Sequence, residues 1–266
     1  MAQKITVVDA FADRPFAGNP AAVCVLPGPA PERWMKDVAR ELNLSETAFL
    51  HPIDGGAFTL RWLTPSVEVD LCGHATLASA HVLGSEGHVS PEATLRFSTR
   101  SGTLTAVSHG PEIELDFPSL PVDPVDEPEG LDRALGAEVV STWSTRMDLL
   151  VELRDEATVR ALAPDFAALA TIPARGVIVT SRSAEGGSHD FVSRFFAPQS
   201  GIDEDPVTGS AHCALAVFWG DRLGRSEMVG YQASEHGGTV RVRREGDRVK
   251  LGGRAVTIWR GEMVDG

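Results

Sequence analysis

Short runs of apolar residues alternate with polar breaks along most of the chain. Ile5–Ala10 is apolar and rich in β-branched residues, and Ala21–Leu26 is a second short apolar run, so both predict buried strands. Between them Arg14–Pro20 is full of Pro and Gly and predicts a loop. Pro31 opens a predicted helix where a missing N–H costs nothing. Trp34, Val38 and Leu42 give that helix one apolar face, and Asn43 ends it. Thr47–His51 and Phe58–Leu63 predict strands, the second with Phe58, Leu60 and Trp62 on one face. More short strands are predicted at Thr94–Ser98, Thr103–Val107, Ile113–Phe117, Leu149–Leu153, Val177–Thr180 and Val192–Phe196, with a short helix near Ala157–Leu162. Thr239–Trp259 reads as a run of short strands with a turn at Glu245–Asp247.

Two stretches depart from this rhythm. His74–Gly84 and Ser210–Leu223 are apolar around almost the whole circumference of a helix, which predicts helices buried on all sides. Aligning Gly73 with Gly209 also places Ala75 on Ala211, Ala78 on Ala214, Ala80 on Ala216 and Gly84 on Gly220. The match predicts a duplicated α+β unit, a curled and mostly antiparallel sheet wrapped around one central helix. The expected halves are 1–117, completed by a last strand near 255–266, and 131–254, with Pro- and acid-rich 118–130 as a linker. A cleft between two such halves is where a small-molecule site is expected.

Composition narrows the function. The 266 residues carry 37 acidic and 24 basic side chains, a net charge of −13, which disfavours nucleic acid as a partner. No stretch approaches the ~20 apolar residues of a membrane span, and the opening MAQKITVVDA reads as a strand rather than a signal peptide. Three scattered cysteines, Cys24, Cys72 and Cys213, suggest neither a disulfide framework nor a zinc cluster. The expectation is a cytoplasmic protein that binds no membrane. Dinucleotide and NTP fingerprints, a nucleophile elbow and HExxH are all missing, so neither a cofactor nor a metal is expected.

The openings of the two buried helices hold the candidate chemistry. Each has a glycine, Gly73 or Gly209, that lets backbone N–H groups approach a ligand where the helix dipole favours an anion. They read either as a carboxylate pocket or as ordinary helix starts, with Ser210 as a cap. Glu46 lies between a helix and a strand among apolar neighbours and reads as a proton shuttle or as a solvated loop residue. Asp205 and His74 carry the same two readings, chemical or structural. Cys72, at a helix N-terminus, is expected to have a lowered pKa. Its counterpart in the repeat is Thr208, so a mechanism with two facing thiols is disfavoured.

Several ordered motifs resemble the PhzF family of phenazine biosynthesis-like proteins nearly end to end. They are Asp9-Ala10-Phe11 with Phe16–Val23, Asn43-Leu44-Ser45-Glu46-Thr47, Cys72-Gly73-His74-Ala75-Thr76, and Gly201–Ala211. The resemblance implies the diaminopimelate epimerase-like fold, a homodimer, and cofactor-independent proton chemistry on a small carboxylate. In the phenazine enzyme the matching glutamate isomerises trans-2,3-dihydro-3-hydroxyanthranilate. That role falls on Glu46, with Gly73, His74, Asp205, Gly209 and Ser210 in support. The chain departs from that enzyme at Cys72 and Ala75, and again at Pro206-Val207, which places it in the broader branch of the family and leaves its substrate open. The alternatives are an epimerase, a C–C lyase or hydrolase in the same pocket, and a non-catalytic binder of small carboxylates.

Overall fold

The computed structural model describes residues 3–90 and 92–264. Residues 1, 2, 91, 265 and 266, which fall within the expected 1–117 and 255–266 segments, lie outside the described residues. The chain divides into two compact units, Met1–Phe117 with Gly252–Gly266, and Pro118–Leu251.

In the first unit Gln3–Ala10 pairs antiparallel with both Ala255–Met263 and Asn19–Val25. Asn19–Val25 runs parallel to Glu46–Ile53, which pairs antiparallel with Ala57–Leu63. Leu95–Thr99, Gly102–His109 and Glu112–Pro118 extend the sheet. Side chains alternate across these strands, so each strand serves two cores. Ala22, Cys24 and Phe49 pack with Met35, Val38 and Ala39 of the helix Glu32–Leu42. Asn43, at φ 50 and ψ 36, closes that helix in the left-handed conformation its short polar side chain tolerates. The strands also pack on the helix Gly73–Ser85, which is buried from His74 to Ala80.

The second unit repeats the plan. Val139–Ser144 pairs antiparallel with Leu149–Leu153, and Leu149–Leu153 runs parallel to Val177–Arg182. Phe191–Phe196 follows antiparallel, Glu227–Gln232 parallel and Gly238–Glu245 antiparallel. The helix Gly209–Leu223 is buried from Ala211 to Gly220 and packs on the last two of these strands. Leu131–Leu135 and Glu156–Ala161 are short helices over a separate core that includes Leu149, Val159, Val179 and Phe196.

Three sequence readings change here. Residues 118–130, read as a linker, fall within the second unit and carry a short strand, Asp123–Pro124, antiparallel to Val139–Ser144. Thr208, not Ser210, is the N-cap of the second buried helix, and Ser210 lies inside its first turn. Pro31 likewise sits at the N-cap, one residue before the helix it was expected to open. Among the described residues no helix is long and apolar enough to cross a membrane.

Candidate active site

In the first unit the parallel register Ala21↔Glu46 brings the starts of Asn19–Val25 and Glu46–Ile53 to one end of the sheet. The start of the helix Gly73–Ser85 reaches the same end. His74 Nε2 lies 2.9 Å from Glu46 Oε2, with side-chain exposures of 6% and 13%. Asn19 Nδ2 lies 3.2 Å from His74 Nδ1, so each ring nitrogen has a polar neighbour. Cys72 Sγ lies 3.6 Å from Nδ1 and 3.9 Å from Nε2 of the same ring. Asp9 accepts from the Phe16 N–H at 2.8 Å, which pins the loop that leads into Asn19.

Burial opposes a charge on His74, but negative charge on the Cys72 sulfur, where it forms, and the Glu46 carboxylate outweigh it and raise the pKa well above the ordinary histidine value. Cys72 corrects the sequence reading. Burial pushes its thiol up to about 11, the Glu46 carboxylate adds to the rise, and His74 opposes it. The helix start does not overcome the loss of solvent, so Cys72 rests as a thiol.

In the second unit Thr208 Oγ1 donates to Asp205 Oδ2 at 2.5 Å. Gln232 locks the same turn: its Oε1 accepts from the Thr208 N–H at 2.9 Å and its Nε2 donates to the Asp205 carbonyl at 2.7 Å. Ser210 Oγ accepts from Arg175 Nη2 at 3.0 Å. Asp148, whose side chain is fully buried, holds that guanidinium through two further bonds of 2.8 and 2.6 Å. His212 Nδ1 meets the Thr208 carbonyl at 2.8 Å, and burial pushes its pKa down to about 4, so this imidazole rests neutral.

Glu46, Cys72, Gly73 and His74 thus share one cluster, and Asp205, Thr208, Gly209 and Ser210 share one turn and helix start. Asn19 lies within the Phe16–Val23 motif, which by itself assigns it no role. Gln232 and the Arg175–Asp148 pair carried no local signal, because their partners are distant in sequence. A separate cleft of about 300 Å³, lined by Met35, Phe49, His51, Arg61 and Arg100, includes none of the Glu46 cluster. Its two guanidiniums are already paired with Glu68, at 2.6 and 2.7 Å.

The fold belongs to a class that includes racemases and epimerases. A structure from Agrobacterium radiobacter described as a probable proline racemase matches with a TM-score of 0.66 at 13% identity, covering 98% of this chain and 93% of that one, which is a likeness of fold alone. The chain belongs to the phenazine biosynthesis-like (PhzC-PhzF) family, whose model matches residues 8–261. A protein of Halalkalibacterium halodurans named an uncharacterized isomerase is 49% identical over 99% of each chain. A PhzF-family crystal structure from Enterococcus faecalis superposes with a TM-score of 0.95 at 43% identity, covering 99% of this chain and all of that one.

Proposed function

We propose that the chain is a cofactor-independent isomerase that moves a proton, and with it a double bond, within a small cyclic amino or hydroxy carboxylic acid. The observation that carries this reading is the enclosed pair of Glu46 and His74, 2.9 Å apart. The Glu46 carboxylate takes a proton from a carbon beside an alkene. The C–H electrons enter the π system, and the proton returns from Glu46 to another carbon on the same face. The His74 N–H stabilises charge that develops on a substrate oxygen. Backbone N–H groups at Gly73 are assigned to the substrate carboxylate. From the family resemblance, Asp205, Gly209 and Ser210 are assigned to its other polar groups. The names of the relatives support the reaction class, and a cytoplasmic homodimer is part of the same proposal.

The test is proton NMR of the purified chain with trans-2,3-dihydro-3-hydroxyanthranilate in D2O, beside folded Glu46→Gln. A shifted double bond with deuterium uptake, lost in the variant, is expected. A cleavage product would replace the isomerase reading with a C–C lyase. Equal turnover by the variant would remove Glu46 as the base.

A further inference from the structure

We propose that Glu46, Cys72 and His74 form a capture site for one soft divalent cation, Zn2+ by its chemistry, and that occupancy shuts off the proton shuttle. The shut-off rests on the proposed function, but the binding does not. One ligand atom from each residue lies within 4.8 Å of the others. Carboxylate, thiolate and imidazole form a donor set that suits Zn2+, whereas Mg2+ and Ca2+ require oxygen ligands. Tetrahedral zinc sets its sulfur and nitrogen ligands about 3.5 Å apart and its nitrogen and oxygen ligands about 3.4 Å apart. The corresponding separations here are 3.9 Å for Cys72 Sγ to His74 Nε2 and 2.9 Å for His74 Nε2 to Glu46 Oε2.

A second observation also points to a ligand. Glu46 Oε2 is buried, and although it faces His74 Nε2 it makes no hydrogen bond of good geometry among the described residues. The charges also balance. As the S–Zn bond forms, the Cys72 S–H bond breaks and its proton passes to the buffer. Any proton on His74 Nε2 leaves in the same way. Thiolate and carboxylate then neutralise the dication, so the buried site carries no net charge. The Asn19 amide beside Nδ1 is placed to fix the ring, as outer-shell partners of ligating histidines do. The fourth position stays open to water. No local motif marks the set, because its members are spread over residues 46, 72 and 74 and meet only through strand register.

The experiment uses the full chain without substrate. Zn2+ is titrated against a chromophoric chelator, and Co2+ is used as a spectroscopic probe. The expected result is one tight site per chain and a thiolate-to-Co2+ charge-transfer band. Cys72→Ser is expected to abolish the band and weaken Zn2+ at least about 10–100-fold, while Cys213→Ser leaves both unchanged. Absence of the band in the wild-type chain would overturn the proposal without any variant, and so would undiminished Zn2+ affinity in folded Cys72→Ser. Where isomerisation is observed, one equivalent of Zn2+ should stop it and a chelator should restore it. Continued turnover by the loaded chain would refute the shut-off. The charge-transfer band without isomerisation of the test substrate would instead count against the proposed function.

Discussion

The two buried helices start with the same backbone and carry opposite chemistry. Cys72 and Thr208 are both extended N-caps without a side-chain cap bond. Four residues on, a side chain returns to the cap carbonyl in each: Thr76 Oγ1 donates to Cys72 at 2.5 Å, and His212 Nδ1 donates to Thr208 at 2.8 Å. The first start presents a thiol and an imidazole of raised pKa to a carboxylate. The second ties its hydroxyl and carboxylate to each other and keeps its histidine neutral. The two starts share their helix geometry and differ in the side chains they present.

The largest expected effect breaks the first start alone. Glu46→Gln keeps the side chain's shape and removes its basicity, and should lower the rate of solvent-hydrogen exchange into substrate by about 10²–10⁴-fold.

The second effect is a pair of opposite pH dependences. His212 has its pKa lowered from 6.5 to about 4 in the fold, so the unfolded chain binds its proton more readily. Its contribution is fully present above pH 6.5 and is lost as pH falls toward 4, by about 3 kcal/mol in all. His74, whose pKa is raised, contributes fully below pH 6.5 and loses that contribution as pH rises through its folded pKa. Urea unfolding across pH should show His212→Gln flattening the acid limb and His74→Gln flattening the alkaline limb.

A smaller effect isolates the second start. Thr208→Val removes the donor to Asp205 and should cost about 1–3 kcal/mol in thermal unfolding. Smallest is Ser210→Ala, which removes one acceptor from the partly exposed Arg175 and should change stability by about 0.5 kcal/mol or less. If Ser210 also holds substrate, KM rises several-fold with kcat unchanged.

The buried helices were legible because thirteen and fifteen residues of small and apolar character admit few other packings. Val139–Ser144 was not legible: four of its six residues are serine, threonine or exposed valine, and alternation is weak. Glu227–Gln232 was hidden by Gly230, which normally signals a break. Here a Cβ at that position would stand 2.5 Å from the Phe191 ring, so glycine is required for the strand to pack. Glu46 and His74 were recognisable as residues, but their pairing depends on strand register. The Cys72 pKa is not legible in the sequence, because burial leaves no mark in a local motif, whereas a helix start does.

The most direct test of the two-start account is NMR of the imidazole nitrogens of His74 and His212 across pH in the full chain, assigned with the two glutamine variants. At about pH 7, between the folded pKa values of a raised and a lowered histidine, the account predicts a cationic His74 and a neutral His212. Both rings neutral at that pH would contradict it, because the first start would then have no charged pair to distinguish it from the second.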